Sequence, residues 1–213
     1  MIINERFTEY INSMETSDYE YLDELEQFAL STEVPIIRKE MQSFLKTLLV
    51  MMKPKQILEV GTAIGFSALL MSEYMPEDGH ITTVEKYEKR IPIAQKNFET
   101  FHKSEKITLL AGDATDILKE LQTTYDFIFM DAAKGQYINF LPDILRLLNK
   151  GGVLVSDNVL QDGDIIESRY AIVRRNRTIH NRMREYLYLL KNHEQLSTTI
   201  IPLGDGITLS VKK

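Results

Sequence analysis

The chain has 213 residues, of which 44% are hydrophobic and 26% charged, and its formal net charge is −6. That length suffices for one domain with a sizeable core, and the composition is that of an ordinary globular protein. The absence of cysteine excludes disulfides, thiolate catalysis and zinc–cysteine sites. The first residues lack the pattern of a signal peptide, and no apolar run approaches the roughly 20 residues of a membrane span. We therefore expect a cytoplasmic protein that does not enter a membrane.

The order of predicted elements is that of an α/β protein. Residues 1–50 are predicted to be helical, because apolar positions such as Leu45, Leu48 and Leu49 recur at helical spacing. From residue 56 onward, apolar β-branched runs alternate with helical patterns. Strands are predicted at 56–61, 80–86, 106–112, 125–131 and 151–157, and helices at 66–75, 90–101, 113–121 and 138–148. This alternation predicts a parallel sheet with helices on both faces.

The last third of the chain departs from this alternation. After a predicted helix at about 178–191, two β-rich runs, 196–204 and 206–213, meet at Gly204-Asp205-Gly206. So short a connection predicts an antiparallel hairpin. We expect residues 1–213 to form a single domain, with the helices of residues 1–50 packed on its core.

Polar residues after the first three strands indicate a nucleoside site. Gly61 and Gly65 follow the first strand, Glu85 ends the second, and Asp113 follows the third. Ligands of open parallel sheets bind beyond the carboxyl ends of the strands, where a carboxylate can accept both ribose hydroxyls. The glycine spacing matches neither the dinucleotide fingerprint nor the phosphate loop. The set favours S-adenosylmethionine over NAD or ATP, although glycine turns and capping acids occur in any α/β protein.

The next two strands end in hard ligands. Asp131 ends the fourth strand, Asp157 and Asn158 end the fifth, and Lys134 follows Asp131 by three residues. Two carboxylates and an amide oxygen suit Mg²⁺, which keeps several waters and takes only one or two protein carboxylates. The alternative is that each aspartate simply caps a helix or turn.

At this point a family resemblance becomes specific. The segments LEVGTAIGFSALL, TTVEK, FMDAAKGQY, VSDNVL and IIPLGDGITLSVKK together resemble the metal-dependent O-methyltransferases, which include the catechol and caffeoyl-CoA O-methyltransferases. The resemblance covers roughly residues 34–213. It implies a Rossmann-like class I methyltransferase fold, with a seven-stranded, mostly parallel sheet whose last strand is antiparallel.

The resemblance also implies roles for individual residues. It implies that Asp131, Asp157 and Asn158 hold Mg²⁺ or Mn²⁺, and that Lys134 lies beside the accepting hydroxyl as a base or as an electrostatic stabiliser. Asp131 is expected to serve cofactor binding and catalysis as well. The remaining cofactor contacts implied are Glu59, Gly61, Ala63 and Ser67 for the methionine part, Glu85 for the ribose, and Asp113 with Ala114 for the adenine edge.

The substrate is suggested by the distribution of charge. Residues 1–33 contain nine acids and one base, whereas residues 169–191 contain seven bases and one acid. Such asymmetry raises the question of an anionic partner, and arginine suits phosphates. We predict RNA contacts for four arginines: Arg174, Arg175, Arg177 and Arg182. The alternative is a solvated helix face balanced by the acidic N-terminal segment of the same or a partner subunit.

Among bacterial relatives, the chain is similar to the tRNA 5-hydroxyuridine methyltransferases, which form 5-methoxyuridine at the anticodon wobble position. This resemblance implies a tRNA substrate, and the family implies a homodimer. A small catechol-like or caffeoyl-CoA-like acceptor is the alternative. The chain contains no tryptophan, whereas the catechol enzymes use aromatic gates that include one.

Overall fold

The structure is a computed structural model, and it describes residues 3–213. Its eight α-helices are α1 (Glu5–Asn12), α2 (Glu20–Ser31), α3 (Lys39–Met52), α4 (Phe66–Tyr74), α5 (Ile91–Thr100), α6 (Ala114–Glu120), α7 (Tyr137–Leu147) and α8 (Arg177–Asn192). Its seven strands are β1 (Gln56–Val60), β2 (His80–Glu85), β3 (Ile107–Ala111), β4 (Tyr125–Met130), β5 (Leu148–Ser156), β6 (Leu196–Ile201) and β7 (Ile207–Lys212). Short 3-10 turns span Lys134–Gln136, Gln161–Ile166 and Arg174–Asn176.

All seven strands form one sheet in the order β3-β2-β1-β4-β5-β7-β6. The pairs among β1 to β5 are parallel, whereas β7 runs antiparallel to both β5 and β6. The prediction of a seven-stranded, mostly parallel sheet with an antiparallel last strand is therefore confirmed. The neighbouring positions of β4 and β5 also bring Asp131 and Asp157 to adjacent strand ends.

Hydrophobic cores lie on both faces of the sheet, as the alternation predicted. On one face, buried residues of α2, α3, α4 and α5 pack against alternate side chains of the central strands, such as Phe127 and Phe129. On the other face, α6, α7 and α8 pack against the intervening side chains, such as Ile128 and Met130. Because successive strand residues point to opposite faces, runs as apolar as YDFIFM can fill both cores at once.

Most predicted boundaries lie within one residue of those observed, and two regions differ by more. The connection in the C-terminal hairpin is longer, because β6 ends at Ile201 and β7 begins only at Ile207. Pro202 has no N–H to donate, and residues 203–205 turn inward to line a cavity. Strand β5 begins at Leu148 rather than at 151, since Leu148 pairs with Tyr125 across a shift in register.

Candidate active site

The carboxyl ends of the parallel strands surround a cavity of about 450 Å³. Most of the predicted site residues line it: Gly61, Ala63, Ser67, Glu85, Asp113, Ala114, Asp131, Asp157 and Asn158. We call the part beyond β1, β2 and β3 the cofactor half, and the part beyond β4 and β5 the acceptor half. Residues 35–38 before α3 and residues 203–205 before β7 complete the wall.

The first turn of the cofactor half requires glycine. Gly61 has a φ of +111°, and a Cβ built there would lie 2.0 Å from the main-chain oxygen of Asp131. No other residue avoids that collision, so Gly61 allows β1 to continue into the turn while the Asp131 backbone passes close by. Glycine at this position therefore lets the turn after β1 pack directly against the backbone at Asp131.

Glu85 organises the same turn through its carboxylate. One oxygen accepts the N–H of Ala63 at 2.8 Å, and the other accepts those of Lys86 at 3.0 Å and Tyr87 at 2.8 Å. These charge-assisted bonds hold the turn after β1 against the end of β2. Glu85 still lines the cavity, which is where the predicted ribose contact requires it.

Asp113 has a structural task as well as a place in the cavity wall. Its Oδ1 accepts the N–H of Thr115 at 2.9 Å and so caps α6, and Lys86 lies 3.4 Å from its Oδ2. The hydrogen bond from Thr115 comes first among the causes that lower the pKa of Asp113. The helix-capping alternative thus holds for this residue, alongside its position next to Ala114 in the predicted adenine region.

Glu59 lies beneath the cavity instead of lining it. The side chain is fully buried and accepts hydrogen bonds from the hydroxyls of Ser67 and Thr83. Burial raises the pKa of Glu59 to about 7. Among the predicted cofactor residues it is the one without a surface in the cavity, so it acts on a bound molecule only through Ser67.

The acceptor half brings together the three predicted metal ligands. The main-chain N–H of Asp131 donates to the carbonyl oxygen of Val60 at 3.0 Å, and that of Asp157 donates to the carbonyl oxygen of Met130 at 2.9 Å. These bonds hold both aspartates at the edge of the sheet. The amide of Asn158 donates to Asp131 Oδ1 at 2.9 Å, and the Asn158 N–H donates to Asp157 Oδ1 at 2.6 Å. Asn158 adopts a φ of +59°, a left-handed conformation that turns its side chain back toward Asp131.

The charges of this half favour a cation. Burial raises the pKa of Asp131, and burial together with the nearby Asp131 carboxylate raises the pKa of Asp157 to about 7. When two carboxyl groups share a buried site, the charge of one disfavours ionisation of the other. A bound divalent cation favours the ionised form of both and so lowers their pKa values. Nowhere in residues 3–213 do three or more His, Cys, Asp or Glu side chains form a metal cluster. The chemistry of two carboxylates and one amide instead fits Mg²⁺, which needs few protein ligands.

Lys134 is not among the residues that line the cavity, and it has a partner that the sequence did not indicate. Its Nζ lies 3.2 Å from Asp205 Oδ2, and Asp205 is only 4% exposed. The other Asp205 oxygen accepts the N–H of Asp162. The sequence predicts Gly204-Asp205-Gly206 as the turn of the hairpin, and no local pattern distinguishes a turn aspartate from one that reaches a lysine 71 positions away.

The four arginines predicted to contact RNA lie outside the cavity and in two settings. Arg182 donates to the carbonyl of Gly135 at 2.9 Å, and Arg177 donates to those of Ile172 at 3.0 Å and Tyr170 at 3.3 Å. Arg174 and Arg175 are exposed on a 3-10 turn. The hydrogen bond from Arg182 to Gly135 connects helix α8 to the residue that follows Lys134.

Large apolar side chains are exposed in the stretch that precedes these arginines. Ile166 is 83% exposed, Tyr170 85% and Val173 64%. Nine residues of this stretch are exposed, and we call them the 166–175 surface: Ile166, Glu167, Ser168, Arg169, Tyr170, Ala171, Val173, Arg174 and Arg175. Arg38, which lines the cavity, forms an ion pair with Asp162 at 3.7 Å. A search of residues 3–213 finds no helix that is both long and apolar enough to cross a membrane.

The strand order, the antiparallel β7 and the cavity beyond the strand ends define a Rossmann-like methyltransferase fold. A solved structure of a methyltransferase from Podospora anserina with bound S-adenosylhomocysteine has a TM-score of 0.88, with 25% identity and coverage of 99% of this chain and 97% of that one. A candidate caffeoyl-CoA O-methyltransferase from Staphylococcus aureus has a TM-score of 0.87, with 29% identity and coverage of 98% of both chains.

The family follows from sequence comparison. A family model described as O-methyltransferase matches residues 12–213, and the chain therefore belongs to the O-methyltransferase family. A caffeoyl-CoA O-methyltransferase from Populus kitakamiensis is 32% identical over 78% of this chain and 73% of its own length. A catechol O-methyltransferase from Niastella koreensis is 34% identical over 58% of each chain. The protein is an S-adenosylmethionine-dependent O-methyltransferase of the catechol and caffeoyl-CoA type.

Proposed function

We propose that this enzyme is a Mg²⁺-dependent O-methyltransferase that converts 5-hydroxyuridine in a tRNA anticodon loop to 5-methoxyuridine. The observation that supports a metal is the pair of buried carboxylates, Asp131 and Asp157, with raised pKa values in the acceptor half. The observation that supports RNA is the 166–175 surface, where arginines and an exposed tyrosine lie next to one another.

Asp131, Asp157 and Asn158 would hold Mg²⁺ or Mn²⁺ at the edge of the sheet. A bound divalent cation lowers the pKa of a hydroxyl that it coordinates and fixes the position of that hydroxyl. The chain contributes the placement of these ligands, because the main-chain bonds of Asp131 and Asp157 anchor each one to the neighbouring strand. S-adenosylmethionine supplies a methyl group already activated on a sulfonium, so orientation of the acceptor oxygen contributes much of the remaining acceleration.

Lys134 would act on the oxygen that accepts the methyl group. Its ammonium lies 3.2 Å from Asp205, which lines the cavity, and the side chain is one-third exposed. In the cationic form it stabilises a developing oxyanion, and in the neutral form it accepts the hydroxyl proton. Asp205 holds the nitrogen in place in either case, because its second oxygen is anchored by the N–H of Asp162.

The proposed acceptor has chemistry that fits this arrangement. The 5-hydroxyl and 4-oxo groups of 5-hydroxyuridine are vicinal oxygens, so they resemble the two oxygens of a catechol. A wobble base lies in a single-stranded loop and can be turned out of the stack into a pocket, which is how most sequence-specific RNA recognition works. Arginines outside the cavity can hold flanking phosphates, and Tyr170 offers a face for stacking.

The test uses anticodon stem–loop RNA with 5-hydroxyuridine at the wobble position and radiolabelled S-adenosylmethionine. We expect methyl transfer that needs added Mg²⁺ and whose apparent affinity for RNA falls steeply as salt rises. The same RNA with uridine at that position is the matched control and should accept no methyl group. Absence of transfer to the hydroxyuridine RNA, alongside robust transfer to a catechol, would contradict the tRNA proposal.

A small catechol-like acceptor is the second candidate, and the names of the relatives favour it. If that acceptor is the true one, the 166–175 surface plays no part in binding. Arg174→Ala with Arg175→Ala would then leave kcat/KM unchanged. Arg177 is unsuitable for this test because its guanidinium holds the backbone at Tyr170 and Ile172. A rise in the KM for RNA, with the KM for a catechol unchanged, would favour the tRNA acceptor.

We also propose that two copies associate through α1. Phe7, Tyr10, Ile11 and Met14 share one face of this helix and its C-terminal end, and each is 49–65% exposed. A contiguous apolar face of this kind is typical of an interface. Sedimentation should show a dimer that Phe7→Asp dissociates, whereas Tyr188→Asp, at an exposed position on α8, should not. A monomer at micromolar concentration would contradict this proposal.

A further inference from the structure

Tyr137 is a buried tyrosine whose hydroxyl lies directly behind the acceptor half. It begins α7 and is 0% exposed. Its hydroxyl accepts the N–H of Ala132 at 3.2 Å and lies 3.1 Å from each of two carbonyl oxygens, those of Met130 and Asp157. A phenolic hydroxyl has one hydrogen to donate, so it donates to either of these two carbonyl oxygens and can alternate between them.

These three partners flank the candidate metal ligands. Met130 and Ala132 are the residues before and after Asp131, and the third contact is the carbonyl of Asp157 itself. The regular pairing of β4 with β5 ends at Met130 and Ser156, and one further bond runs from the Asp157 N–H to Met130 at 2.9 Å. Beyond that point the two chain segments are connected by the Tyr137 hydroxyl from behind and by the Asn158 side chain, which donates to Asp131 Oδ1.

We propose that Tyr137 is a positioning residue for the metal site, and that its hydroxyl sets the separation and direction of Asp131 and Asp157. This inference rests on the proposed Mg²⁺ dependence. A cation with near-ideal octahedral preferences tolerates little error in ligand position. Groups that orient metal ligands from behind change metal affinity by about 10- to 100-fold when they are removed.

The ring and the hydroxyl of Tyr137 have separate tasks. The ring packs edge-on against Tyr186, with ring centres 5.5 Å apart, and contributes to the core under α7 and α8. The hydroxyl contacts only polar main-chain atoms at the strand ends. Tyr137→Phe therefore removes the connection while it keeps the core volume, which makes the two tasks separable by experiment.

The first measurement is Mg²⁺ affinity of the chelator-treated protein by titration calorimetry, with Mn²⁺ as a second probe. For Tyr137→Phe we expect the Kd for Mg²⁺ to rise by about tenfold or more, while the Kd for S-adenosylhomocysteine changes by less than about twofold. Excess Mg²⁺ should restore most of the lost kcat. The matched control is Tyr125→Phe, which removes a buried hydroxyl from the opposite end of β4. It should lower the Tm without a change in Mg²⁺ affinity.

A second measurement needs no variant and so stands even if Tyr137→Phe fails to fold. If the Tyr137 bonds favour the metal-binding arrangement, metal binding must favour those bonds to the same degree, because coupling is reciprocal. Saturating Mg²⁺ should therefore slow hydrogen exchange at the Ala132 N–H of the wild-type protein. Exchange at Lys55 and Gln56, whose N–H groups donate to Asp126 far from the site, should stay unchanged.

The outcomes separate this inference from the proposed function. Wild-type protein that binds no Mg²⁺ overturns the metal proposal and this inference with it. Wild-type binding with an unchanged Kd in folded Tyr137→Phe, or with unchanged exchange at Ala132, overturns the inference alone. An equal loss of Mg²⁺ affinity in Tyr125→Phe also overturns it, because the effect would then come from general destabilisation.

Discussion

The cofactor half of the cavity satisfies its acidic groups within the chain, whereas the acceptor half leaves two buried carboxylates beside each other. Glu85 accepts three main-chain N–H groups and Asp113 caps a helix. Asp131 and Asp157 instead have raised pKa values. The cofactor half is therefore organised by hydrogen bonds within the chain, whereas the acceptor half holds the two carboxylates on which the proposed metal site depends.

The largest expected effect follows from removal of a proposed metal ligand. Asp157→Ala should lower kcat by about a thousandfold, since a catalytic metal contributes several kcal/mol of charge stabilisation. If the two halves are independent, the Kd for S-adenosylhomocysteine should stay within about twofold. Turnover measured at saturating Mg²⁺, together with calorimetry, checks both statements. Asp116→Ala on exposed α6 is the control, and near-normal turnover of Asp157→Ala would refute the site.

A smaller loss is expected when the partner of Lys134 is changed. Asp205→Asn keeps an acceptor for the Asp162 N–H but weakens the contact to the ammonium, and it should lower kcat by up to about a hundredfold through misplacement of Lys134. The KM for S-adenosylmethionine should not change. Asp164→Asn, at an exposed position in the 3-10 turn that contains Asp162, should behave as wild type. An effect on KM with kcat preserved would place Asp205 in cofactor binding instead.

The cofactor half should respond in the opposite way. Glu85→Gln loses the charge that strengthens three hydrogen bonds, which are worth about 1.5–3 kcal/mol each to a charged group, so S-adenosylhomocysteine affinity should fall by about tenfold or more. Mg²⁺ affinity should remain that of the wild type. Calorimetry with both ligands checks this, and Glu88→Gln on the exposed side of the same turn is the control. A parallel fall in Mg²⁺ affinity would show that the halves are coupled.

The smallest effect is a pH dependence of stability. The pKa of Asp157 is raised from 3.8 to about 7 in the folded protein. Its contribution to stability is complete below the unfolded pKa and is lost as pH rises through about 7. The Tm of metal-free protein should therefore fall by a few degrees between pH 5 and pH 8, at about 2–4 °C per kcal/mol. Added Mg²⁺ should raise the Tm more at pH 8 than at pH 5.

Glu59 acts in the same direction, since burial raises its pKa to about 7 as well. The two contributions can be separated with Asp157→Asn, which should abolish the difference in Mg²⁺ response between pH 5 and pH 8. Glu59→Gln should flatten part of the metal-free slope but leave that difference in place. An identical Mg²⁺ response of wild type at both pH values would contradict the charge argument for the acceptor half.

The sequence by itself determined the sheet and the strand-end residues. Apolar runs that alternate with helical patterns permit a parallel sheet, and a parallel sheet brings strand ends to one edge, so Gly61, Glu85, Asp131 and Asp157 had to converge. The Asp131 and Asp157 pair could be predicted because each residue directly follows a recognisable strand. The length of the C-terminal hairpin connection could not, since residues 203–205 gain their role only by facing the cavity.

Only the tertiary structure decided which side chains meet across the cavity. Asp205 reaches Lys134 from 71 positions away, Tyr137 connects the ends of β4 and β5, and Glu59 lies beneath the floor with Ser67 and Thr83. Periodicity and local spacing report which residues share a face or a strand end. They carry no information on contacts between loops, because those contacts depend on the three-dimensional path of the chain.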